Sequence, residues 1–295
     1  MACKTPITIR DANKVATAVP CMKCHDCRLA RTRQWVFRIQ EERKHHLNCY
    51  FITLTYETTP KTPNGLGTLD GRDLQLFFKR LRKRTKQTIK YLAVGEYGSI
   101  RRRPHYHALL LGSIEESDIR AAWEKHVNES TGAINGHAYI DTANSGAATA
   151  YVVKYLDKGR VIPLFASDDR LKERSWMSKG LGSRYLTPEM ISWHRRAPDG
   201  WSIQSEGQTS PLPRYFKNRI FGQIFDKETG REIADFRGIL SEKMQAFKQK
   251  MEDRYWQNVA AFGSELAYVQ HVYWSDQAKD QARRLYNQTK SRMDF

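Results

Sequence analysis

The stretch Arg103-Pro104-His105-Tyr106-His107-Ala108 constrains this chain more than any other. Read as a strand, it alternates, so His105 and His107 share one face while Tyr106 and Ala108 take the other. Two imidazoles on neighbouring same-face positions can grip one divalent ion. The competing reading is a pair of exposed histidines, or of histidines satisfied within a core. Ile89 to Glu96 reads as a second strand, and the turn through Gly98 makes the two an antiparallel hairpin. Glu96 then sits at the strand end nearest His105, where its carboxylate can complete a three-ligand set.

A partner motif follows in Tyr151-Val152-Val153-Lys154-Tyr155, on a helix that Asn144 or Ser145 caps and Gly159 ends. At about 100° per residue, Tyr151, Lys154, Tyr155 and Lys158 fall on one stripe. An aromatic pair at this spacing is commonly core. Two lysines on the same stripe argue against full burial, and Val152, Val153 and Leu156 can serve the core instead.

Around these motifs the pattern alternates strands and helices. Cys49 to Tyr56 is rich in β-branched and aromatic residues and reads as a strand. Pro60, Pro63, Gly65 and Gly67 mark a loop. Asp70 can cap a helix running to about Lys86, with Leu74, Phe77, Phe78 and Leu81 as its apolar stripe. Ile114 to His126 reads as a helix and His137 to Asp141 as a further strand. Arg28 to Glu42 is a basic helix. Trp176 to Tyr185 mixes glycines, cations and aromatics, as a nucleic-acid surface or an ordinary loop would. From Lys227 to about Trp256 the spacing of Ile233, Phe236, Ile239, Leu240, Met244, Phe247 and Met251 predicts one long amphipathic helix, for packing or self-association.

Charge narrows the partner. The 295 residues carry 49 Lys and Arg against 32 Asp and Glu, a formal charge of +17. Such an excess attracts a polyanion, with nucleic acid the first candidate. There is no long apolar run or lipidation signal for a membrane. The first residues lack the apolar core of a secretory signal, so a cytosol is the expected location. Five cysteines is an odd count, and three form Cys21-x-x-Cys24-x-x-Cys27. In a reducing compartment this spacing points to metal or thiols rather than disulfides. Cys3 can join them as a four-thiolate structural zinc site; the alternative is a thiol-lined turn without metal.

These side chains permit one chemistry in particular. A divalent ion held by His105, His107 and Glu96 suits a phosphodiester, with manganese or magnesium matching the mixed donor set. A tyrosine hydroxyl can attack phosphorus and hold the 5′ phosphate as an ester. The ordinary phenol pKa is about 10, so Lys154, Lys158 or the metal must favour the phenolate.

The chain resembles the replication initiators of microviruses, in particular the gokushovirus branch, which belong to the HUH endonucleases. Phe51-Ile52-Thr53-Leu54-Thr55-Tyr56, Arg103 to Ala108 and Tyr151 to Tyr155 carry the three core motifs. Gly95-Glu96-Tyr97-Gly98 and Pro20-Cys21-x-x-Cys24-x-x-Cys27-Arg28 are similar to the family as well. Lys179-Gly180-Leu181-Gly182 and Pro213-Arg214-Tyr215-Phe216-Lys217 follow the pattern more weakly.

The resemblance implies an α+β fold. A central antiparallel sheet of about five strands would carry the histidines on a middle strand, with flanking helices and the tyrosines facing them. It implies His105, His107 and Glu96 as metal ligands and Tyr151 and Tyr155 as nucleophiles. It further implies origin-specific nicking, rolling-circle synthesis and strand rejoining in a host bacterial cytoplasm. No Gly-x-x-x-x-Gly-Lys-Ser/Thr motor pattern occurs in the middle of the chain, so host helicase and polymerase are the expected partners beside single-stranded and origin DNA. Three segments result: a Cys-rich basic region over 1–48, a nicking domain over 49–165, and a basic, mainly helical or irregular region over 166–295. A plasmid initiator, relaxase or transposase of the same superfamily, or a non-enzymatic zinc-stapled DNA-binding protein, stays open. A zinc deaminase does not fit, because no His-x-Glu accompanies Pro-Cys-x-x-Cys.

Overall fold

The strand that organises the sheet is Asn48–Thr58 (β3), because its alternation gives it two apolar or functional faces. Ile52, Leu54 and Tyr56 are buried on one side, and Phe51, Thr53 and Thr55 take the other. In this computed structural model the described residues are 7–10, 14, 16–22, 24–98, 100–143, 162–205, 208–225 and 228–293. They divide into two compact units, Met1–Arg196 with Ser202–Ile220, and Ala197–Trp201 with Phe221–Phe295.

The first unit opens with a short hairpin, Ile7–Arg10 (β1) against Ala16–Val19 (β2), and then the helix His25–Arg43 (α1). After β3 come Gly71–Thr85 (α2), Lys90–Tyr97 (β4), Pro104–Gly112 (β5), Glu116–Trp123 (α3), Ile134–Thr142 (β6) and Arg174–Met177 (β7). Strands β3 to β7 form one sheet in the order β6-β3-β5-β4-β7, every neighbour antiparallel. This is the α+β arrangement expected, with the histidine strand β5 in the middle. Its fifth strand comes from beyond residue 165, up to which the sequence places the sheet domain. Four residues of mixed character carry no periodicity; pairing with β4 makes Arg174–Met177 a strand.

Helices cover the two sheet faces differently. On one face α2 and α3 bury Leu74, Phe77, Phe78, Leu81, Ile119 and Trp123 against Ile52, Leu54, Tyr106 and Leu110. Each such side chain contributes roughly 1.5–3 kcal/mol on leaving water. Asp70 starts α2 by accepting a hydrogen bond from Arg72 N at 2.8 Å, and Lys86 ends it in the left-handed conformation at φ 52°. Polar groups buried under these helices are paired with one another. Tyr56 Oη donates to Asp73 Oδ2 at 2.8 Å, Asn128 Nδ2 donates to Asp73 Oδ1 at 2.6 Å, and Tyr106 Oη donates to Asp70 O at 2.7 Å. On the other face Val36 and Ile39 of α1 pack on Leu92, Leu109 and Leu111, toward the strand ends away from the histidines.

The Gly-rich stretch after β7 is part of this second layer rather than a nucleic-acid surface. Leu181 is fully buried, and its carbonyl accepts from Arg38 Nε at 3.0 Å and Nη2 at 2.7 Å. Gly182 N donates to Glu42 Oε2 at 2.6 Å. Gly182 has φ +76°, and a Cβ there would lie 2.7 Å from Arg38 O. The glycine thus lets one turn lie directly on α1. Pro188–Arg196 (α4), the hairpin Ser202–Ser205 (β8) with Gln208–Pro211 (β9), and Arg214–Ile220 (α5) complete the unit.

In the second unit the structure corrects the long helix expected from Lys227. Gln223–Phe225 (β10) and Glu232–Asp235 (β11) form a hairpin, with Gly230 at φ +67° in its turn. The helix begins only at Arg237 and runs to Ala261 (α6), followed by Glu265–Met293 (α7). Asp235 Oδ1 accepts from Arg237 N at 2.9 Å, a start signal that the apolar spacing hid. Ile233, counted on the apolar stripe, is 64% exposed. Similarly, the helix expected from Ile114 to His126 is shorter at both ends, since Ile114 and the residues after Trp123 leave it. Among the described residues no helix is long and apolar enough to cross a membrane.

Candidate metal centre

β4 and β5 bring the predicted ligands together through register. Glu96 pairs directly with His105, and Val94 with His107. Paired residues on antiparallel strands point to the same face. Glu96 therefore joins the two histidines that strand alternation places on one side. One candidate ligand atom from each of Glu96, His105 and His107 lies within 4.8 Å of the others. Glu96 and His107 are buried and His105 is half-buried.

The second ring nitrogens are held from behind. His105 Nδ1 stands 3.1 Å from Arg103 O, a contact in which the ring must donate. His107 Nδ1 stands 2.9 Å from Thr53 Oγ1, whose residue pairs with His107 across β3 and β5. Donation through Nδ1 puts each lone pair on Nε2, the tautomer that a metal ligand needs. Phe51 stacks on the His107 ring at 5.5 Å and 18°, fixing its plane. The pattern Phe51-x-Thr53-x-Thr55 signalled these supporting side chains, since period two puts all three on the histidine face. Their role is missing from a reading that looks only for ligands.

The donor set fits a divalent cation. A carboxylate oxygen and two neutral imidazoles leave coordination positions open, unlike a closed structural site. The neighbouring buried phenols do not compete for chemistry. Tyr56 and Tyr106 lie on the opposite sheet face, and burial pushes both phenols well above their ordinary range. Tyr151, Lys154 and Tyr155 lie outside the described residues.

Cations gather where β4 turns into β5. Arg101, Arg102 and Arg103 line a cleft of about 550 Å³ together with Arg170. Two of the four are committed to the fold. Arg103 Nη2 donates to Tyr56 O and, at 3.0 Å, to Glu57 O. Arg170 forms a two-pronged pair with Asp168, at 2.9 and 2.8 Å, whose hydrogen bonds hold that carboxyl below the usual carboxylate range.

A second cluster lies at the start of α1. The thiols of Cys21, Cys24 and Cys27 are within 4.8 Å of one another. Cys24 N donates to Cys21 Sγ at 3.3 Å. Cys3, the fourth thiol of the predicted set, lies outside the described residues. Cys49 is elsewhere, in the core under α1, where burial pushes its thiol up to about 11.

Known proteins agree with the motif order. Residues 49–160 match the family described as replication-associated protein ORF2. The replication-associated protein ORF2 of Spiroplasma virus 4 is 29% identical over 230 residues, covering 71% of this chain and 71% of that protein. The replication-associated protein ORF4 of Chlamydia phage 1 is 26% identical over 220 residues, covering 68% of this chain and 53% of its relative. Replication-associated protein VP4 of Bdellovibrio phage phiMH2K is 24% identical over 218 residues, covering 68% and 67%. The chain therefore spans about half the length of the Chlamydia phage protein. No solved structure matches it. With the motif-bearing sheet inside the matched segment, the chain belongs with the microvirus-like replication-associated proteins of phages.

Proposed function

We propose that this protein initiates rolling-circle replication by nicking origin DNA at the Glu96, His105 and His107 centre and rejoining the displaced strand. The observation that carries the reading is the register-locked convergence of these three donors within 4.8 Å. A manganese or magnesium ion bound there would neutralise charge on the non-bridging oxygens of a phosphodiester.

The chain's own residues do the rest. Tyr151 or Tyr155 supplies the hydroxyl that attacks phosphorus. The bond to the 3′ oxygen breaks, the 5′ phosphate stays on the tyrosine, and the leaving oxygen takes a proton to become a 3′ hydroxyl. Lys154, adjacent in sequence to Tyr155, favours the phenolate by its charge. The same exchange run in reverse, with a 3′ hydroxyl attacking the tyrosine ester, closes the strand without a nucleoside triphosphate. A second tyrosine allows a new cleavage while the first still holds its end.

The net charge of +17 supports DNA as the partner. Host helicase and polymerase would open and copy the duplex in the bacterial cytoplasm. Organisation follows the same reading, with a Cys-rich region over 1–48, the nicking domain over 49–165 and a further region over 166–295. The thiol cluster of Cys21, Cys24 and Cys27, with Cys3 as its fourth member, would hold a structural zinc: the hydrogen bond on Cys21 Sγ favours a thiolate. Zinc retained by the purified protein and lost in Cys24→Ser supports that assignment; a protein free of zinc with all thiols reactive removes it.

A denaturing gel tests the nicking. Labelled single-stranded fragments tiled across the phage genome are mixed with protein and manganese or magnesium, with chelator as control. A metal-dependent protein–DNA band that survives denaturant and vanishes in the Tyr151→Phe/Tyr155→Phe double variant is the expected result. Tight, salt-sensitive binding with no band on any fragment would leave the non-enzymatic DNA-binding reading instead.

A further inference from the structure

The edge strand β6 carries a group of side chains that the nicking chemistry does not use. Thr53 pairs with His107 on one side and with Tyr139 on the other. Tyr139 and His107 therefore stand on one row of one face, two strand spacings or about 10 Å apart. Tyr139 is 59% exposed, though residues on a strand beside a folded core usually bury such a ring. The His137 ring lies 6.2 Å from it, tilted by 59°.

A bulge shapes this end of β6. Between Leu54 and Tyr56 the partner strand advances from Ala138 to Asn135, one residue more than β3 does. Thr55 Oγ1 fastens the extra residue by donating to His137 O at 3.1 Å and accepting from His137 N at 3.2 Å. Gly136 is needed there, because a Cβ would lie 2.8 Å from Tyr56 C and Glu57 N. Bulges of this kind re-aim side chains beside active sites.

The result is a recess of about 390 Å³ whose lining includes Tyr139, His137, Asn135, Lys125, Glu124 and Arg103. Asn135 is 2% exposed, and its Oδ1 has no hydrogen-bond partner among the described residues. A buried amide oxygen left so costs about 1–3 kcal/mol, which a ligand donor would offset. Lys125 is exposed at the rim, held there with φ 59°. An open aromatic face, a buried acceptor and a rim cation together suit an unpaired nucleobase, whose flat face stacks and whose edge both donates and accepts. A paired base offers neither its face nor its Watson–Crick edge.

We infer that this recess holds one unpaired base of the DNA strand being cleaved, with Tyr139 as the stacking platform and Asn135 as acceptor for the base edge. The inference rests on the nicking reading for why a single strand lies across this face, and it adds a specificity determinant beside the metal centre. Because the recess belongs to β6 and not to the metal ligands, its occupancy does not need chemistry.

The test measures binding in chelator, where no cleavage occurs. Full-length protein is titrated into a labelled short oligothymidylate and into the same backbone made of abasic sites. Wild type should prefer the base-bearing strand, and Tyr139→Ala should lose roughly 10-fold of that preference, consistent with one stacked base. Tyr139→Phe should keep it, which separates stacking from folding. A strand containing 5-iododeoxyuridine should photo-crosslink to the peptide holding Tyr139. If Tyr139→Ala keeps the full preference, or crosslinks fall only elsewhere, the recess is not a base site. Absence of a metal-dependent covalent band with the base preference intact would instead defeat the nicking reading and leave the base site standing.

Discussion

Thr53 Oγ1 lies 2.9 Å from His107 Nδ1, on the neighbouring strand and in direct register with it. The hydroxyl decides which ring nitrogen carries the proton, and so which one can face a metal. Thr53→Val keeps the shape and removes the acceptor. Metal affinity should fall roughly 10- to 100-fold, read by manganese titration with electron paramagnetic resonance. DNA affinity in chelator should not change. An unaltered manganese affinity would mean that His107 is not a ligand.

Loss of the ligands themselves should separate chemistry from binding. His105→Ala and Glu96→Gln should each abolish metal-dependent cleavage, while DNA affinity and its steep fall with salt persist, because those come from the basic surface. Filter binding at several salt concentrations beside the cleavage assay checks this. Normal cleavage by either variant in chelator would remove the metal centre from the mechanism.

Gly182 should be the least replaceable glycine of the turn on α1. Alanine there meets both a left-handed φ of +76° and an Arg38 carbonyl 2.7 Å from the new Cβ. We expect a loss of about 1–3 kcal/mol in denaturant unfolding. Gly132 has a similar φ of +65° but nothing within 4 Å, so Gly132→Ala should cost less. Equal costs would show that backbone strain alone sets the requirement.

Asp73 should make its region less stable as pH rises from acid. Burial raises its pKa above the ordinary carboxylate value, outweighing the hydrogen bonds from Tyr56 and Asn128. The folded state then holds the proton more tightly than the unfolded chain. The favourable contribution is therefore complete below the unfolded pKa of about 3.9 and is lost as pH climbs through the raised folded value. The stability of wild type minus that of Asp73→Asn should decline over that interval. A difference that grows with pH would mean that the carboxylate is stabilised as an ion.

Within the candidate centre, the ligands were legible because their arrangement depends on local rules. Strand alternation sets His105 and His107 on one face, and a short hairpin leaves Glu96 opposite His105. Asp70 as a cap and the apolar stripe of α2 are likewise local patterns. What the sequence obscured was non-local or buried. Thr53 and Phe51 act on His107 only because β3 pairs in that register.

The sequence by itself determined the histidine face, the acidic third donor and the helices that cover the core, since periods of 2 and 3.6 are properties of the chain. Tertiary structure alone decided that Arg174–Met177 closes the sheet as its fifth strand. It alone turned Leu181 and Gly182 into a buried latch on α1, and broke the apolar run after Lys227 with a hairpin. In each case the deciding energy is a backbone or packing contact with residues far away in sequence, and no local period records it.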